Sequence, residues 1–281
     1  MNNRISLGRM NTLRVSHFAA QGAYLHGGPD GTILLPRRYV PEGLQEGDEL
    51  EVFLYLDQEE RIVATTEPPL AQVGDFAWLT VSWVNNFGAF LHWGPMKDLF
   101  VPFREQKMKM QKGHAYLVHV HLDPETYRII ASAKVERYLS QDMPPYKGGE
   151  AVDCLVWQKT DLGLKCIVDN KYSGLLFDSE VFRPLFGGDR VQTFVRQVRP
   201  DGKIDVMLQP SGRQQTLDFA DTLTDYLIAH GGRCPSGDKT SPETIKEVFG
   251  VSKKTFKRAV GDLYKRRLIA IEEDGIRLLS F

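Results

Sequence analysis

The stretch Gly74-Asp75-Phe76-Ala77-Trp78-Leu79-Thr80-Val81-Ser82-Trp83-Val84-Asn85-Asn86-Phe87-Gly88-Ala89-Phe90-Leu91 reads as a strand whose apolar residues alternate until a glycine bends it. Gly88 lies 14 residues after Gly74, and Gly113 follows 25 residues later. The same spacing recurs at Gly8, Gly22 and Gly47 and again at Gly149, Gly163 and Gly188. With 25 glycines in 281 residues, three triplets in one register mark an internal repeat. The intervening residues agree with this. Val15, Val81 and Val156 stand seven before the central glycine, and Leu13, Leu79 and Cys154 stand nine before it.

Past the third glycine of each copy comes a further apolar strand, 49–56, 115–122 and 191–198. A turn and a short closing strand follow, at 61–65, 128–132 and 203–208. Four or five short strands in about 60 residues, with glycines at fixed offsets, predict a small closed barrel of the OB type. Thr65-Thr66-Glu67-Pro68-Pro69 and Asp142-Met143-Pro144-Pro145 separate the copies, and their prolines predict stiff links. The expected barrels are 1–66, 70–140 and 147–210.

After Gln209-Pro210-Ser211-Gly212 the period becomes helical, with Leu217, Ala220, Leu223, Tyr226 and Leu227 on one stripe and Asp218 near its start. Ser241-Pro242-Glu243 opens a second helix that Gly250 ends, and Ser252 caps a third. A hairpin around Asp274-Gly275 closes the chain, so 214–281 reads as a winged helix-turn-helix. The predicted fold class is mainly β with an α+β C-terminal domain: three tandem OB-fold barrels, then a winged helix.

Phe87-Gly88-Ala89-Phe90-Leu91 after its Gly74 lead, followed by Lys112-Gly113, resembles the S1 RNA-binding domain family. Three such copies and a winged helix resemble the bacterial conserved virulence factor B family, and the match covers essentially the whole chain. The resemblance implies RNA binding and post-transcriptional control of gene expression, bearing on virulence regulation, without catalysis.

A barrel that holds single-stranded RNA needs exposed flat rings for bases and nearby cations for phosphates. In the second copy Phe87 and Phe90 fill the two aromatic positions of the S1 pattern. Trp83 and His92 extend that platform, and Lys107, Lys109, Lys112 and Arg128 offer phosphate contacts. Strand aromatics serve a core equally well, and Phe87 and Phe90 are open to that reading as Trp83 and Trp93 are. At the two aromatic positions the first copy has Gln21 and Tyr24, and the third Leu162 and Lys165. The histidine that S1 domains often carry further on is replaced by Pro36, Pro102 and Phe177. Lysines and arginines outnumber acids 8 to 6 in 70–140, against 6 to 9 in 1–66 and 9 to 9 in 147–210. The middle barrel is the expected RNA binder and the first a structural or weak contributor, with Tyr24 and Lys165 as flanking candidates.

The last helix, 252–267, concentrates charge in Lys253, Lys254, Lys257, Arg258, Lys265, Arg266 and Arg267 against Asp262. Such a face suits RNA phosphates or a DNA major groove. The alternative to an RNA-binding regulator is therefore a DNA-binding transcriptional regulator, and duplex nucleic acid is a second partner for the winged helix.

Enzyme signatures are missing: there is no Walker glycine loop, no GxSxG elbow and no acidic quartet. His119, His121 and Asp123 alternate along a strand and could hold a metal together, yet no fourth ligand is identifiable, so neither a metal nor a cofactor is expected. Cys154, Cys166 and Cys234 lack CxxC spacing. Without an 18-residue apolar run or an apolar leader, a cytoplasmic protein without membrane contact is expected. The net charge of 35 − 36 = −1 supplies no global attraction to nucleic acid, so binding must rest on local contacts.

Overall fold

In a computed structural model, residues 5–181, 184–208, 212–237, 240–272 and 275–279 are described, without side chains for 30, 180 and 212–218. Barrel 1 comprises β1 (Met10–Ala19), β2 (Gly22–His26), β3 (Thr32–Pro36), β4 (Glu49–Leu56) and β5 (Ile62–Thr65). Barrel 2 comprises β6 (Phe76–Val84), β7 (Gly88–Leu91), β8 (Leu99–Pro102), β9 (Ala115–Leu122) and β10 (Ile129–Ser132). Barrel 3 comprises β11 (Ala151–Thr160), β12 (Gly163–Val168), β13 (Tyr172–Phe177), β14 (Arg190–Val198) and β15 (Ile204–Met207). Each closes in one order: first, second, third, fifth and fourth strand. Closure leaves no free edge for another chain to pair with.

The central glycine acts differently from the bend expected of it. Gly22, Gly88 and Gly163 open the second strand of each barrel, and the kink lies upstream as a β-bulge. It falls between Val15 and His17, Val81 and Trp83, and Val156 and Gln158. At Gly88 glycine is needed because a Cβ would lie 2.2 Å from the Val101 carbonyl oxygen. The outer glycines sit in left-handed turns; Gly74, for instance, has φ 96°. The turn before each closing strand is also left-handed, at Glu60, Tyr127 and Gly202.

Barrels 1 and 2 share a core, so the link is stiffer than prolines alone make it. Phe53 and Tyr55 of β4 pack into the cluster that holds Leu79, Val81 and Trp93, with Phe53 edge-on to Trp93 at 5.4 Å. Backbone bonds reinforce the join, Val73 N donating to Gly8 O at 2.8 Å. Barrel 2 meets the 153–175 segment through Phe76, Leu155 and Ile167. There Phe76 N donates to Asn170 Oδ1 at 2.8 Å, and the ring of Trp78 lies against Gly187 and Gly188.

The C-terminal domain contains α1 (Gly212–Ala229), α2 (Pro242–Phe249), α3 (Lys253–Lys265) and the sheet β16 (Arg233–Cys234), β18 (Gly275–Leu278), β17 (Ile269–Glu272). α1 begins earlier than its apolar stripe announced; of that stripe, the side chains of Leu217 and Asp218 lie outside the described residues. Ser241 and Ser252 cap α2 and α3 by accepting from Thr244 N and Thr255 N. Gly250 ends α2 with φ 68°. The hairpin β17–β18 forms the wing, and the Asp274 position at its turn lies outside the described residues, as do Gln209, Pro210 and Ser211.

Candidate nucleic-acid interface

Pleating decides which rings of barrel 2 face out. In β7, Ala89 and Leu91 fill the core, so Phe90 between them points away. In β8, Leu99 and Val101 do the same and turn Phe100 outward. Phe90 and Phe100 are directly cross-strand, with rings 4.9 Å apart. The β6 bulge sets Trp83 opposite Phe90, where the two rings stack at 3.8 Å, 1° from parallel. Asp98 fixes the indole by accepting from Trp83 Nε1 at 3.1 Å.

Phe87 stands in the β6–β7 turn. Asn85 Oδ1 accepts from Phe87 N at 2.8 Å and Gly88 N at 3.1 Å, a side-chain-closed turn that leaves the ring 74% exposed. Trp93 is 2% exposed and belongs to the core shared with barrel 1. His92 is exposed beyond the end of β7.

A cleft of about 580 Å³ opens beside this stack. Phe87, Phe90 and Phe100 of barrel 2 line it together with Leu56 and Glu60 of barrel 1. Lys97, Arg104 and Arg128 bring positive charge to it. Lys97 is half-buried and its Nζ donates to the Asp57 carbonyl at 2.7 Å; burial holds its pKa below the usual lysine value. Tyr55, at the base, is pushed up to about 12 by burial. Arg104 is mostly exposed and 3.5 Å from Asp123, whose bond from the Thr126 hydroxyl keeps its carboxyl below the usual range. Arg128 pairs with Glu60.

The structure separates the expected cations. Arg128 lines the cleft, whereas Lys107, Lys109 and Lys112 do not. Lys107 is committed elsewhere: it bonds Glu136 at 2.5 Å and lies 4.9 Å from the Trp157 ring centre. Lys109 and Lys112 are exposed on the segment leading to β9. Sequence reasoning missed Lys97 and Arg104. Arg104 carried a signal, since it stands 16 residues after Gly88 as Arg38 does after Gly22.

The other barrels repeat the geometry with other residues. In barrel 1, His17 and Tyr24 stack at 4.8 Å, 2° from parallel, but Leu34 faces Tyr24 where barrel 2 has Phe100. In barrel 3, Gln158 opposes Lys165, and Lys165 Nζ lies 5.4 Å from the Trp157 ring centre.

His119, His121 and Asp123 do not assemble as ligands. His121 Nε2 is 3.1 Å from Tyr138 OH, and His119 is packed against the Tyr138 ring at 4.0 Å. Among the described residues no group of three potential ligands forms a metal site. None of the described helices is long and apolar enough to cross a membrane.

In the C-terminal domain, α3 buries Phe256, Ala259, Val260 and Leu263. That leaves Lys254, Lys257, Arg258, Lys265 and Arg266 exposed and Lys253 half-buried. Arg266 lies 3.4 Å from Asp262.

Residues 7–67 match the S1 domain family, and residues 221–278 match the CvfB-like winged helix domain. The chain is 29% identical over 276 residues to the YitL protein of Bacillus subtilis (strain 168), covering 95% of this chain and 92% of that protein. It is 27% identical over 242 residues to conserved virulence factor B of Staphylococcus aureus (strain USA300), covering 84% of this chain and 81% of that one. A crystal structure from Streptococcus pneumoniae TIGR4, described as a multidomain protein with nucleic acid binding domains, aligns with 22% identity and a TM-score of 0.41, covering 97% of this chain and 98% of that one. With S1-type and CvfB-like winged-helix domains in one chain, and likeness along most of its length, the protein is similar to the conserved virulence factor B family.

Proposed function

We propose that the chain is a non-catalytic regulator that binds single-stranded RNA and acts post-transcriptionally. The observation that carries this reading is the exposed Phe87 beside the Trp83–Phe90–Phe100 stack, facing a cleft edged by Arg104 and Arg128. Rings of this kind accept any base on their π-face, and arginines beside them neutralise the phosphates. Both domain families found in the chain are nucleic-acid-binding types, which supports the coarser part of the proposal.

The basic face of α3 adds a second phosphate-binding surface. It favours duplex DNA only if base edges are read, for which Arg258 is a candidate and no asparagine or glutamine is present on α3. Competition between an unstructured RNA and a DNA duplex of equal length, followed by fluorescence anisotropy at fixed salt, tests the reading. RNA is expected to compete better; a duplex that displaces RNA at lower concentration returns the function to the winged helix and DNA.

A further inference from the structure

The cleft beside the aromatic stack has walls from two barrels. Its volume of about 580 Å³ suits a ligand of nucleotide size. Three cations edge it, Lys97, Arg104 and Arg128, and three carboxylates, Glu60, Asp98 and Asp123. Two of the carboxylates have resident work: Asp98 holds the Trp83 indole, and Asp123 accepts from the Thr126 hydroxyl at 2.9 Å. Glu60 is different. It is exposed, it reaches from barrel 1 to pair with Arg128, and it sits at φ 64°, a setting that L residues rarely adopt. The matching turns of the other barrels carry Tyr127 and Gly202, so the turn itself does not require a glutamate.

We infer that this cleft holds one nucleoside monophosphate unit, its base against Phe87 and its phosphate on Arg104 and Arg128, and that Glu60 of barrel 1 occupies Arg128 in the phosphate's place until the nucleotide displaces it. The inference rests on the nucleic-acid reading above and makes barrel 1 part of the site. Displacement is cheap because both partners are about half exposed, where an ion pair is weak. Once Glu60 leaves, the three cations face two carboxylates that are already engaged, and the single negative charge of a phosphate within a strand restores neutrality. A planar base and a charged phosphate on one small molecule match a pocket lined by both phenyl rings and guanidinium groups.

The test uses Glu60→Asn in the full chain, because asparagine tolerates the left-handed backbone while removing the charge. Glu59→Gln is the control; it removes a neighbouring carboxylate that pairs with Arg61 at 2.8 Å. A labelled oligoadenylate dodecamer is titrated by anisotropy and adenosine monophosphate by calorimetry. Glu60→Asn is expected to bind about two- to fivefold tighter, the weight of one exposed ion pair. Glu59→Gln should not change affinity, and the gain should vanish when Arg128→Ala is added. Unchanged or weaker binding by Glu60→Asn, an equal gain in Glu59→Gln, or a gain that survives Arg128→Ala overturns the inference. A response from the monophosphate as well as the dodecamer assigns the cleft to a free nucleotide too, and a response from the dodecamer alone assigns it to a nucleotide within a strand. If Phe87→Ala weakens dodecamer binding while Glu60→Asn is neutral, the RNA reading stands and the cleft assignment falls. If the wild-type chain binds no strand, the RNA reading fails, and the monophosphate titration still judges the cleft.

Discussion

Replacing Phe87 by alanine separates binding from folding. The ring is 74% exposed and stacks on no other ring among the described residues. The backbone of its turn is held independently, by Asn85 Oδ1 and by Phe103 N donating to Phe87 O at 3.2 Å. Stability should therefore move by no more than about 0.5 kcal/mol, as for other surface positions. Loss of one base-stacking ring costs about 1–3 kcal/mol of binding, so Kd for an unstructured RNA should rise roughly 5- to 150-fold. Phe90→Ala is a poorer probe. It opens a gap between Trp83 and Phe100, losing aromatic contacts worth about 0.5–1.5 kcal/mol per pair to the fold as well as to any ligand. The assay is anisotropy of a labelled RNA at one fixed ionic strength, with a melting curve on each protein. A Kd within twofold of wild type at an unchanged melting temperature would refute the stacking platform.

Acid should weaken the join around β9. Burial, with His121 adding to it, lowers the pKa of His119 from 6.5 to about 4. The unfolded chain then binds a proton that the folded chain refuses, so stability is full above pH 6.5 and declines as the pH falls toward 4, by on the order of 3 kcal/mol. His119→Phe, which keeps the ring against Tyr138, should flatten that decline in melting curves taken across the range. Gly88→Ala should cost about 3 kcal/mol in urea denaturation, because the added Cβ meets the Val101 carbonyl at 2.2 Å. Residues 70–140 expressed alone should be less stable than 1–140 by calorimetry, since removing barrel 1 strips Phe53 and Tyr55 from Trp93; equal melting temperatures would show that the shared cluster contributes little.

The glycine spacing was enough to place the barrels because its causes are local. A left-handed turn or a close carbonyl permits only glycine wherever it recurs. Strands 49–56 and 115–122 were legible to the residue because alternation and turn residues bound them on both sides. The bulge was not legible. It inserts one residue without a composition of its own, yet it is what brings Trp83 opposite Phe90. Long-range partners were equally hidden. Lys107 reads as a free cation until Glu136 and Trp157 are beside it, and Lys97 gains meaning only from the fold of the β7–β8 connection around Asp57 of another barrel. Trp93, ambiguous in sequence, is core because Phe53 arrives from barrel 1.

That shared core changes how the repeat should be understood energetically. Weak modules on flexible tethers gain affinity through effective concentration, which depends on linker length. Barrels 1 and 2 do not meet that condition: Phe53 and Tyr55 lie in the same cluster as Leu79 and Val81, and Gly8 and Val73 are bonded across the link. Their relative orientation is paid for on folding, so a ligand that touches both loses little further entropy on binding. A barrel with a poor aromatic face of its own can then still contribute, by offering a fixed wall to its neighbour's better one. Leu56 and Glu60 line the same cleft as Phe87, as such a division of labour requires. The first copy keeps only a shorter stack, His17 on Tyr24 at 4.8 Å, with Gln21 in place of the exposed phenylalanine and Leu34 where barrel 2 has Phe100: a copy that serves as a wall needs no longer platform.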